Sequence, residues 1–421
     1  MRSLLCRALR ARPHELPALG WAFAYFFFLL GGYYILRPVR DEMGVLAGTS
    51  RLQWLFSATF VTMLALTPLF GWLCRSLPRA RLLPAVYLFF AANLIGFWVA
   101  LEAGLAPRML APVFFVWLSV FNLFVVSVFW SFMSDLFDAE QAARLYGAVA
   151  AGGSCGAIAG PLLTALGAVQ LGTAGLLLVS AAALVAATGC IAMLLSWGRA
   201  HPRAGDPPSE APIGGAITAG VRAAAGSPYL LGVCGYLLCY STLSTALYFA
   251  QVDIVGRAIS DSGERTRLFA TLDLTVNGLT LIVQLLVFAR LGAALGLARM
   301  LALMPLVSLA GFLWLGAAPT LAVLIAFGIM RRVGEFSISK PSREELFTVV
   351  PREQRYKAKN FIDTVVYRGG DALAGWLVGG LRALGLGLSA LSFLAAPLAL
   401  AWLAIGLWLG RRQERLRRAQ V

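Results

Sequence analysis

Arg368 and Asp371 stand eight and eleven positions into an apolar run that begins near Asn360. At 1.5 Å per residue that is roughly 12–17 Å along a helix, close to the middle of a ~30 Å hydrocarbon core. Ionisable side chains at such depth are costly; they mark a substrate or ion path, or an internal pair. Asp363, Tyr367 and Asp371 share one face at four-residue spacing, with Arg368 about a quarter-turn away. The Arg368–Asp371 spacing permits an i, i+3 pair. It also suits a carrier, in which a midplane acid with a switchable arginine couples a proton or counter-substrate to movement. Before this helix, Ser339–Lys359 holds all three lysines and a group of arginines and reads as a solvent-facing loop.

Other polar residues fall in comparable places. Arg37 and Arg40 close the first apolar run beside Gly31, Gly32, Tyr33 and Tyr34. Guanidinium forks suit bidentate phosphate recognition, and Tyr34 offers a ring on which a base or sugar could stack. Snorkelling, or pairing with Asp41 and Glu42, is the plainer alternative. Tyr236, Tyr240, Ser244, Tyr248 and Gln251 form one polar stripe, and Asp273, Asn277, Thr280 and Gln284 another. In lipid a stripe of that kind faces the bundle or a water-filled cavity. Interhelical hydrogen bonds alone are the structural alternative. Ser119, Asn122 and Trp130 make a thinner stripe. Asp135 with Arg144, and Glu345 with Arg355, occupy matching inner-loop positions and suit gate latches, or else are solvated loop charges.

The elements that must position these residues are membrane helices. The chain has 421 residues, of which 59% are hydrophobic and 13% charged. A soluble protein carries about 25% charged residues. Twelve spans are expected, near 17–36, 52–73, 82–102, 109–133, 144–168, 173–197, 229–251, 269–289, 297–316, 319–338, 360–382 and 388–409. The predicted inner loops and tails hold most of the 35 lysines and arginines. That bias puts both termini in the cytoplasm of a multi-pass inner-membrane protein. It also accounts for the net charge of +15 without nucleic acid.

The N-terminal apolar run is too long for a signal peptide. Six cysteines without ligand spacing read as reduced packing residues, and two peripheral histidines argue against a histidine-based metal site. No lysine follows a glycine as a nucleotide-binding P-loop requires. No nucleophile–base constellation appears either, so neither an enzyme nor a cofactor is expected.

The Pro/Gly-rich segment 201–215 sits mid-chain as a linker. Asp135-Leu136-Phe137 matches Glu345-Leu346-Phe347, Glu140-Gln141 matches Glu353-Gln354, and Ala157–Gly160 matches Ala372–Gly375, in order. The expectation is an all-α membrane protein with two parallel six-helix halves, 1–200 and 229–421, joined by a cytoplasmic linker at 201–228. This is the major-facilitator plan, in which substrate binds near mid-membrane. The stretch Gly71–Arg79 weakly resembles that superfamily's signature loop, with Arg75 in the acidic position. Gly152, Gly153, Gly156, Gly160 and Pro161 resemble part of its antiporter signature, though small-residue packing explains them as well.

Tyr33-Tyr34-Ile35-Leu36-Arg37-Pro38-Val39-Arg40-Asp41 resembles the end of the first helix in the ATP/ADP translocases of plastids and intracellular bacteria. The family's lysine is Arg40 here. Residues 340–371 look like the corresponding loop and eleventh helix of free-living bacterial relatives in that branch. The resemblance implies exchange or proton-coupled uptake of nucleotides. The leading expectation is a secondary carrier for an anionic metabolite, nucleotide-like, acting as a monomer among membrane lipids. A proton-coupled carrier of another small molecule, or a lipid translocase, remains open. Its substrate residues would come from Tyr34, Arg37, Arg40, Asn122, Tyr240, Asp273, Asn277, Tyr367, Arg368 and Asp371.

Overall fold

A computed structural model describes residues 12–76, 79–201, 225–351, 358–359 and 361–419. All long elements among them are helices: α1 Leu16–Ala47, α2 Leu52–Ser76, α3 Arg79–Glu102, α4 Pro107–Leu136, α5 Ala139–Ala200, α6 Pro228–Ala258, α7 Ser262–Leu286, α8 Phe288–Ala317, α9 Leu321–Gly334, α10 Lys340–Leu346, α11 Tyr367–Ala383 and α12 Leu388–Arg418. Nine helices among the described residues are long and apolar enough to cross a membrane. The predicted fifth and sixth spans run together as α5, broken at Gly172, whose φ of 61° suits a residue without a Cβ. Asp138 and Gln141 close a reciprocal capping box at its start. Arg355, most of the 201–228 linker and part of the Gly71–Arg79 loop lie outside the described residues.

Two expectations about where helices end are corrected. Arg37, Arg40 and Arg265 were expected outside the spans, yet α1 runs on to Ala47 and α7 begins at Ser262. Ser339 was expected to open a solvent-facing loop. Instead α9 passes through a π-helical turn, Glu335–Ser339, into α10, and Ser337, Ser339, Ser342 and Arg343 are buried. The physical reason is the same in both places. Hydropathy falls where charges begin, but a helix continues wherever those charges find partners.

Packing divides the chain into two units. The first comprises Met1–Leu46, Ala65–Glu210 and Asp261–Leu274; the second comprises Ala47–Leu64, Ala211–Ser260 and Thr275–Val421. In the first, the small-residue face of α5 lies directly on α1. A Cβ at Gly152, Gly156 or Gly160 would collide with the backbone oxygens of Phe23, Phe27 and Gly31. Close backbone approach of this kind is how helices associate where no hydrophobic drive exists between them. Around that seam an aromatic core gathers Tyr25, Phe26, Phe121 and Phe129. Gly156→Val is therefore expected to prevent stable assembly. Size-exclusion profiles of a fluorescent fusion should show a lost monodisperse peak, whereas Gly147→Val, with open space around it, should leave the peak intact.

In the second unit Tyr236 spans α6 to α8, donating its hydroxyl to the Leu301 carbonyl at 3.0 Å, and packs on Trp402 of α12. It is thus a packing member of its stripe. Gly410 of α12 abuts the Ala298 backbone of α8 in the same manner as the α5 seam.

Candidate functional site

Within the first unit, the end of α1 meets the start of α7. Arg37 Nη1 lies 3.6 Å from Asp273 Oδ1, and the guanidinium sits 5.7 Å from the centre of the Tyr34 ring. Asp273 is fully buried, while the Arg37 side chain keeps 18% exposure. Two predicted site residues, 236 positions apart in sequence, are therefore one ion pair whose arginine is only part-buried. Arg40 behaves differently. Its guanidinium lies 4.3 Å over the Phe115 ring, and its buried Nε meets no hydrogen-bond acceptor among the described residues. Glu42 does not pair with Arg40; it takes a side-on fork from Arg265, with Nε at 2.6 Å and Nη2 at 2.8 Å. Both partners are buried. Asn122 of α4 is half-buried in this unit.

In the second unit α6, α9 and α11 bring a separate polar group together. Arg368 and Asp371 pair at 3.7 Å, as their spacing allows, and Ser241 donates to Asp371 at 2.6 Å. Tyr240 and Tyr367 stack with ring centres 5.9 Å apart. Arg331 lies over the Tyr240 ring, 5.1 Å from its centre, and Arg343 reaches back to Glu335 at 3.4 Å. A second π-helical turn, Ile362–Val366, precedes Tyr367. Such turns widen a helix locally and recur at functional sites. Asn277 is half-buried in this unit, and Gln284 of the same stripe donates to the Phe336 carbonyl at 3.0 Å.

Arg331, Glu335 and Arg343 were missed as site residues, because the first two fell in the second half of the predicted 319–338 span and the third in the loop after it, near a boundary where charge is expected. The signal that could have found them is the i, i+4 spacing of Arg331 and Glu335 inside an otherwise apolar helix. Glu42 and Arg265 were missed for the same reason.

Of the gate candidates, Arg144 forks onto Glu15, at 3.0 and 3.1 Å, and also approaches Glu140. Asp135 is half-buried on α4, and Glu345 is exposed on α10 beside the Lys359–Glu344 pair at 2.5 Å. Burial pushes the Glu15 carboxyl up, but hydrogen bonds from Arg144, the Arg12 N–H and Gln141 together outweigh it and hold it at about 2. A depressed carboxyl contributes stability that is complete above its ordinary value of 4.5 and is lost as pH falls toward 2. Melting temperature should therefore drop through that window, and Glu15→Gln should flatten the drop while lowering the plateau at neutral pH.

A groove of about 640 Å³ between the start of α6 and the end of α12 is lined by Tyr229, Trp408, Arg411, Arg412 and Arg415. None of the paired groups above lines it.

No family model matches the chain, and no curated protein matches it in sequence. Solved structures match its fold over nearly the whole length. A bacterial homologue of the iron transporter ferroportin superposes with a TM-score of 0.67 at 12% identity, covering 94% of this chain and 98% of its own. The nucleoside transporter NupG gives 0.62 at 13%, covering 95% and 99%. A bacterial homologue of the human lysosomal transporter Spinster gives 0.55 at 14%, covering 97% and 98%. These neighbours are transporters of differing substrates, and the similarity is one of fold.

Proposed function

We propose that this protein is a secondary active transporter for an anionic, nucleotide-like metabolite, working by alternating access as a monomer without a cofactor. On this reading it stands near the ATP/ADP translocase branch. Twelve spans form two six-helix halves, 1–200 and 229–421, with 201–228 between them. It lies in the inner membrane with both termini in the cytoplasm. The observation that carries the reading is the set of arginines held inside membrane-length helices. Arg37 is paired but still exposed at 18%, and Arg40 carries a buried nitrogen without an acceptor among the described residues. Structural charges in lipid are normally matched one for one. A guanidinium nitrogen left without an acceptor along α1 suits a ligand that brings negative charge with it.

The test is binding by detergent-purified protein across a panel of nucleotides and small acids, read by thermal shift. At least one anion should raise the melting temperature in a saturable way. Arg40→Ala should then weaken apparent affinity by roughly 10- to 100-fold, the value of one charged hydrogen-bonded contact. Arg40→Lys should recover part of that loss. An affinity that does not change in Arg40→Ala would remove Arg40 from the site.

A further inference from the structure

Arg265 and Arg331 are both buried arginines, and their difference is informative. Arg265 uses one edge of its guanidinium, Nε with Nη2, to grip both oxygens of Glu42. In Arg331 the same two nitrogens are buried and meet no hydrogen-bond acceptor among the described residues. Arg331 is only 4% exposed. Ten residues into a helix that starts at Leu321, it lies roughly 15 Å along the span, near mid-core depth. The two acids of this polar group have other partners. Glu335, one turn further on, accepts from Arg343 with one oxygen, while its other oxygen meets no donor among the described residues. Arg331 and Glu335 are therefore not hydrogen-bonded to each other, although an i, i+4 pair would be the cheapest way to satisfy both. Asp371 is held by Ser241 and Arg368. The Tyr240 ring supports the guanidinium, 5.1 Å from its centre.

A buried guanidinium edge without an acceptor is costly unless something completes it. We propose that the Nε–Nη2 edge of Arg331 is an oxyanion-binding site that grips two oxygens of a carboxylate or phosphate bidentately. Tyr240 fixes its plane, and Glu335–Arg343 holds the adjoining π-helical turn. Two parallel N–H···O bonds require a planar or tetrahedral oxyanion, which neither a halide nor a neutral sugar supplies. The inference rests on the reading of the protein as a carrier of anions, and names the group that would recognise the charge within the second unit.

The experiment compares wild type with Arg331→Lys and Arg331→Met in detergent free of anionic lipid. Affinity is measured for ATP, inorganic phosphate and citrate, and separately in nanodiscs of phosphatidylglycerol against phosphatidylcholine. Lysine keeps the charge at that depth but loses the fork. Both variants should bind the tightest free anion about 10- to 100-fold more weakly. Their ligand-free melting temperatures should stay at or above that of wild type, since no protein acceptor is lost. Variants that bind as wild type does would overturn this site and leave the anion-carrier reading standing. A fall in ligand-free melting temperature in both variants would mark Arg331 as a packing residue and overturn it as well. Binding by wild type to none of the free anions, with a response to phosphatidylglycerol alone that Arg331→Lys abolishes, would keep the oxyanion grip but assign it to a lipid headgroup. No response to any probe would overturn both the site and the reading beneath it.

Discussion

Arg265→Met is expected to leave almost no folded protein in the membrane. The change strands Glu42, fully buried and held by two bonds of 2.6 and 2.8 Å from the lost guanidinium. Breaking a buried ion pair from one side costs about 3–5 kcal/mol. Whole domains are stable by only about 5–15 kcal/mol. The double change Glu42→Gln with Arg265→Met should recover most of the loss, because what is costly is the unpaired charge and not the absence of the pair. Yield and monodispersity of a fluorescent fusion report both effects. A single variant as well behaved as wild type would show that water or lipid headgroups reach Glu42 in the folded protein.

Arg37→Ala is expected to abolish transport more completely than any other single change along α1. It removes a part-buried guanidinium and also leaves Asp273, at 0% exposure, without the arginine 3.6 Å away. The two losses can be separated. Arg37→Ala with Asp273→Ala relieves the stranded acid and should restore yield, while transport stays at least about 10-fold down for want of a charged contact. Asp273→Asn alone should keep expression near normal and impair transport, by releasing Arg37 from its fixed position. If the double variant transports at wild-type rate and affinity, the pair is a packing device and Arg37 does not touch substrate. The same logic applies to Arg368 and Asp371, whose 3.7 Å separation and Ser241 hydrogen bond are compatible with either role.

The helical, membrane-spanning character of the chain was legible because long apolar runs have few alternatives in sequence. The ends of the helices were not. α1 continues eleven residues beyond its predicted last residue, Leu36, to Ala47, and α7 starts at Ser262, because Glu42 and Arg265 neutralise each other from opposite ends of a long sequence separation. A hydropathy profile sees two charges there and no pair. The stretch from Arg331 to Arg343 was divided between the end of a span and a loop beginning at Ser339 for the same reason, and its π-helical turn has no local signature. Short-range geometry fared better: the Arg368–Asp371 pair follows from i, i+3 spacing alone. So does the close seam of Gly152, Gly156 and Gly160 on α1, which favours packing over a transport motif as the reason for those glycines. Arg37 with Asp273 could be guessed as two site residues, but not as partners.

The most direct test of the central claim is uptake by the purified protein in proteoliposomes. Labelled nucleotides and small carboxylates would be offered outside, with and without unlabelled anion trapped inside. The account predicts saturable uptake of at least one anion, stimulated by trapped counter-anion or by a proton gradient, and lost in Arg37→Ala with Asp273→Ala although that protein reconstitutes normally. Uptake of a neutral or cationic solute with none of any anion, or anion uptake that the double variant retains in full, would contradict it.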